Sequence, residues 1–121
     1  MATEDRRSGV EAKVVAAVNT VTGLSCVAFV EETDSVPFCC YEVTDEVPVY
    51  TKAGTAGWRS SVSIYIVDDS ESDVDTYERE VMGALENAAD GSFLPRVRTR
   101  YGHEFDSGQW VAKIDYTILT V

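Results

Sequence analysis

Asp68, Asp69, Asp73 and Asp75 form the densest group of potential metal ligands in this chain. Carboxylates at such short spacing can hold a hard cation through oxygen. The first two, with Ser70, fall where a strand pattern gives way to a helix pattern, and negative charge favours a helix N-terminus without any ion. Capping is therefore the preferred reading over cation binding. His103 stands beside Glu104 and Asp106, and a carboxylate can orient and charge an imidazole for proton transfer. Their polar surroundings instead suggest a solvated loop.

Cys26, Cys39 and Cys40 are the three thiols. Successive strand residues point to opposite faces, so Cys39 and Cys40 are poorly placed to bridge each other or to share a metal. No CxxC is present, and His103 has no metal-ligand spacing to any cysteine. Buried free thiols are expected, with a Cys26 disulfide or reactive thiol as the alternative. Phosphate-binding glycine loops, nucleophile elbows and HExxH patterns are absent from the sequence. The reading is a non-enzymatic protein with no catalytic residues, no metal and no cofactor.

Arg96, Arg98 and Arg100 alternate with Val97, Thr99 and Tyr101. In an extended segment all three would share a side, a basic strip on a chain of formal charge −11. With no opposite charge adjacent in sequence, the strip suggests a carboxylate on a neighbouring subunit or elsewhere on this one. Solvated charge is the blander reading. Phosphate is weaker still, because counterion-driven nucleic-acid binding needs net positive surface.

Several elements must position these groups. Ser8 and Glu11 form a capping box, and Val10, Val14, Val18 and Val21 follow at helical spacing, with Gly23 as the stop. Residues 26–31 read as a strand, 32–35 as a turn, and 38–43 as a second strand opened by Pro37. Residues 44–57 read as a protruding loop or loose hairpin bearing Val47, Val49 and Tyr50. Residues 58–67 form the clearest strand. Trp58, Val62, Ile64 and Ile66 share one face with Ser60, while Arg59, Ser61, Ser63 and Tyr65 share the other, predicting a sheet covered on one side. A second helix spans 70–89, capped by Ser70 and stopped by Gly91, with Val74, Tyr77, Val81, Leu85 and Ala88 inward. Residues 93–107 read as irregular. The last strand, 109–120, alternates Trp110, Ala112, Ile114, Tyr116 and Ile118 with Lys113, Asp115 and Thr117. Trp58, Trp110, Tyr65, Tyr77 and Tyr116 are assigned by default to core packing, with Tyr65, on the polar face of its strand, and Tyr41 left open.

The order α-β-β-β-α-β predicts one α+β domain over 1–121: a two-layer sandwich with a four-stranded, mainly antiparallel sheet and both helices on one face. No apolar run is long enough to cross a bilayer, and no apolar signal core follows Met1, which suggests a soluble protein made in a cytoplasm.

Residues 36–43, Val36-Pro37-Phe38-Cys39-Cys40-Tyr41-Glu42-Val43, resemble a strand of the tail-terminator, or tail-completion, proteins of long-tailed bacteriophages. The similarity continues through the strand 58–67, the acidic loop, the helix segment 77–85 and the closing strand with Asp115-Tyr116-Thr117-Ile118. It rests on pattern and order, and adjacent cysteines replace plain apolar residues. The resemblance implies a virion protein of a phage or prophage, assembled in the bacterial cytoplasm. It would cap the tail tube as a ring, typically of six copies, and join tail to head. Its partners would be itself, the tube protein and connector proteins, with DNA only as passing cargo and no membrane. The expected interface comprises Val47, Val49 and Tyr50 with Arg96, Arg98 and Arg100. A neck or head-completion adaptor, or a small α+β ligand-binding module, is the alternative.

Overall fold

The computed structural model describes residues 9–27, 36–52 and 54–121. Two helices, α1 (Val10–Val18) and α2 (Glu71–Ala88), accompany six strands: β1 (Ser25–Val27), β2 (Phe38–Thr51), β3 (Gly54–Asp68), β4 (Phe93–Arg100), β5 (Glu104–Asp106) and β6 (Gln109–Thr120). The sheet order is β1-β2-β3-β6-β4, with β5 also paired to β6. All pairings are antiparallel except β1 with β2.

The α+β sandwich is as expected, but the four-strand sheet is not. The region read as a loop, residues 44–57, is the distal half of the β2–β3 hairpin, in which Val47 pairs with Arg59 and Tyr50 with Thr55. Pro48 and two glycines weigh against a strand in sequence, yet at Pro48 β2 has β3 on one side and no described strand on the other, the edge setting in which a sheet tolerates proline. Gly57 serves a close approach, since a Cβ there would run into the Thr120 carbonyl oxygen. The stretch read as irregular, 93–107, supplies β4 and β5, held by pairing with β6.

Helix α1 is shorter than its periodicity suggests. Val21 donates to Val18 O and Thr20 to Ala17 O, and the Thr20 hydroxyl also takes the Ala17 carbonyl at 2.7 Å. These i→i−3 bonds tighten the last turn and end the helix. Gly9, in the left-handed region at φ 70°, precedes it without a side-chain cap. Ser8 lies outside the described residues, as do the turn 32–35 and most of the strand read over 26–31. In α2, Ser70 caps Asp73 N as expected.

One core lies between sheet and helices. Val10, Val14 and Val18 of α1 and Val74, Val81 and Leu85 of α2 are buried against Val62, Ile64, Ile66, Ala112, Ile114 and Ile118. Tyr77, Met82 and Ala88 pack at its margin. These are the faces the two periodicities select, one of 3.6 residues on the helices and one of two on the strands. The other sheet face carries Ser61, Ser63, Tyr65, Lys113, Asp115 and Thr117. Toward the β1 side it is apolar, with Phe38, Cys40 and Val67 buried. Cys39, opposite Ile66, points into the core, whereas Cys40, opposite Tyr65, points away.

Candidate interaction surfaces

The β2–β3 hairpin outruns its neighbour. The last β3–β6 pair is Trp58 with Thr120, so the tip beyond it stands clear of the sheet. At about 3.3 Å per residue it projects on the order of 10–15 Å. Val47 and Val49 are half-buried on this arm, while Tyr50 near the tip is 71 % exposed. An aromatic residue held out in this way buries little of its ring on its own chain, and such anchors are enriched at interfaces.

The opposite edge is β4. Its arginines do not form a single strip. Val97 opposes Tyr116 and Thr99 opposes Asp115, so Arg98 is the extra residue of a β-bulge. A bulge reverses the alternation beyond it. Arg96, opposite Thr117, and Arg98, 3.6 Å from Asp115, belong to the open face. Arg100, opposite Ile114, turns to the helix side, where its Nη2 donates to Glu78 Oε1 at 2.8 Å and lies 3.9 Å from Asp75. The expectation that these arginines share a side is corrected for Arg100, and the expectation that they lack local partners for Arg98 and Arg100. Arg96 alone of the three makes no ion pair among the described residues. Leu94 and Val97, both partly exposed, flank it on β4.

Glu78 is the residue that sequence reasoning misses. It is fully buried on α2, in line with Val74, Val81 and Leu85. A helix periodicity weighted for apolar residues passes over it. His103 is likewise not solvated. Its side chain is only 12 % exposed, and its Nε2 lies 2.9 Å from Glu78 Oε1, with Nδ1 3.6 Å from Glu71. Its partners are on α2, not the adjacent Glu104 and Asp106, which sit exposed on β5. Burial works to raise the Glu78 carboxyl, but hydrogen bonds from Arg100 and His103 outweigh it and hold the group below the usual carboxylate range. Glu78 Oε2 has no hydrogen-bond partner among the described residues.

Asp75, Glu78 and His103 each offer a ligand atom, all within 4.8 Å of one another. The Arg100 guanidinium already supplies positive charge to both carboxylates. The arrangement is that of an internal ion-pair network fastening α2 to β4 and the loop after it. Asp68, Asp69, Asp73 and Asp75, for which capping is preferred over cation binding, do not together form a ligand group among the described residues. Asp68 accepts from Asp69 N at 2.7 Å, Asp73 N bonds Ser70, and Asp75 faces Arg79 at 3.0 Å.

A second network lies on the open face. Asp115 accepts from the Ser63 hydroxyl at 2.8 Å and from the Tyr101 hydroxyl at 2.8 Å. The Lys113 ammonium sits 4.8 Å from the Tyr101 ring centroid and 5.6 Å from that of Tyr65. Burial pushes the Asp115 carboxyl up, while Ser63, Tyr101, Lys113 and Arg98 together bring it below its ordinary value. No helix among the described residues is long and apolar enough to cross a membrane.

These features define an α+β sandwich with both helices on one sheet face, a projecting hairpin arm and an arginine-bearing far edge. Among solved structures, the fold is similar to a chain of the "Virion of native gene transfer agent (GTA) particle". The alignment covers 88 % of this chain and 83 % of that one, with a TM-score of 0.63 and 13 % sequence identity. At that identity the likeness is one of fold. No family model matches the sequence, and no curated protein does.

Proposed function

We propose that this chain is a structural virion protein that closes the tail tube of a phage-like particle as a ring and joins it to the head. The observation that carries the reading is the fold shared, over most of both chains, with a component of a gene transfer agent virion. The projecting arm with Tyr50 at its tip and the arginine-bearing far edge support it, being two different surfaces of one protomer. A head-to-tail ring requires that asymmetry. The protein's work is then interface burial, with no bond made or broken, and its partners are its own copies, the tube protein and the connector. An acidic chain also suits a ring through which DNA passes without binding.

Electron microscopy of particles produced with and without the chain tests this. Without it, tubes should be over-length and unjoined to heads, and with it, antibody should label the head-proximal end of the tail. Particles of normal tail length assembled in its absence overturn the proposal.

A further inference from the structure

The open face of the sheet is crossed by rows of directly opposed residues, one from each of β4, β6, β3 and β2. One row runs Arg96–Thr117–Ser61–Asp45. It begins with an exposed cation at the β4 edge and ends with an exposed anion at the β2 edge. The next row runs Thr99–Asp115–Ser63–Glu42, with the bulged Arg98 beside Thr99, and again ends in an exposed carboxylate. The row on the other side, Leu94–Leu119–Arg59–Val47, is apolar at both ends. Three successive rows therefore present basic, basic and apolar groups at one edge, and acidic, acidic and apolar groups at the other.

Among the described residues both edges are unpaired at this level. The described part of β1 pairs with β2 at Phe38, Cys39 and Cys40. Beyond them no strand lies outside β2 among the described residues, nor outside β4. Strand direction fits as well. β2, β3, β6 and β4 alternate, so a second copy's β2 placed beside β4 in the same orientation would continue the antiparallel order.

We propose that the two sheet edges meet between neighbouring copies of this chain, Arg96 and Arg98 of one facing Asp45 and Glu42 of the next, and Leu94 meeting Val47. This rests on the ring reading above and names the surfaces that form it. Pro95 on β4, Pro48 on β2 and the irregularities at Arg98 and Thr44 prevent a long main-chain ladder. The contact is thus one of side chains, selective by charge and weakened by salt. Blunted edges of this kind also keep free copies from stacking without limit.

Charge exchange in the full-length chain tests the pairing, read by analytical ultracentrifugation and negative-stain microscopy at concentrations where the wild type forms rings. Arg96→Glu alone, and Asp45→Arg alone, should each remain monomeric with unchanged circular dichroism. Combining the two substitutions in one chain should restore rings. Mixing the two defective variants should also restore them, because each supplies the edge the other lacks and they alternate around an even-numbered ring. Rings formed by either defective variant by itself overturn this edge pairing while leaving the ring reading intact. Failure of both the combined variant and the mixture, with folded proteins, also overturns the pairing. A wild-type chain that forms no ring, either alone or on tail tubes, overturns both.

Discussion

Arg100 and Glu78 meet across the sandwich, the guanidinium 2.8 Å from a carboxylate whose residue is fully buried. The bond ties the middle of α2 to the end of β4, and His103 adds a second hydrogen bond to the same oxygen. The two partners are not equivalent. Arg100 is 44 % exposed and can return to water if released, whereas Glu78 cannot. Arg100→Ala should therefore cost about 3 kcal/mol by stranding a buried charge. Glu78→Gln should cost less, since the amide needs no counter-charge. Urea unfolding of the two variants checks the order.

Acid should act on the same network. Glu78 and Asp115 both titrate below their ordinary range in the folded protein. A depressed folded pKa stabilises above the unfolded value, and the contribution is lost as pH falls through the folded one. The contribution of these two carboxylates should be complete above about pH 5 and decline below about 4, where carboxylates of the unfolded chain begin to hold protons that the folded ones refuse. Thermal melts across that range should show the decline, and Glu78→Gln should make it shallower.

Leu85 is completely buried between α2 and the sheet. Leu85→Ala should lower stability by about 2–5 kcal/mol through lost transfer energy and the cavity left behind. Met82, one turn earlier and only partly buried, should tolerate Met82→Ala at a smaller cost. Denaturant midpoints of the two variants give the comparison.

All three cysteines are free thiols, and they should differ in reactivity. Cys26 and Cys39 oppose each other on β1 and β2. The hydrogen bond from Cys39 lowers the Cys26 thiol despite burial, and the same bond, reinforced by burial, raises Cys39. Alkylation of the native protein, followed by mass spectrometry, should modify Cys26 first and Cys39 last. After denaturation without reductant, three thiols should titrate. Fewer would indicate a disulfide.

Much of the framework was legible because burial on one side imposes a period. The alternation of Ile64, Ile66, Ile114 and Ile118 and the 3.6-residue spacing of Val74, Val81 and Leu85 define strand and helix before any contact is known. Ser70 marked the start of α2 by capping chemistry that operates within four residues. The adjacent Cys39 and Cys40 likewise had to face opposite ways in any strand. What the chain order left open depended on partners distant in sequence. β4 and the distal hairpin carry prolines, glycines and exposed side chains, so the strand character of β4 comes from pairing with β6, and that of the hairpin from its two arms pairing with each other. The bulge at Arg98, which sends Arg96 and Arg100 to different faces, arises from the register against Tyr116 and Asp115. Glu78 is absent from the apolar stripe that the helix periodicity picks out, and His103 reads as part of a loop. Only when the fold sets α2 beside the end of β4 do Glu78, His103 and Arg100 become one buried network, because a carboxylate leaves water only where cations reach it from another element.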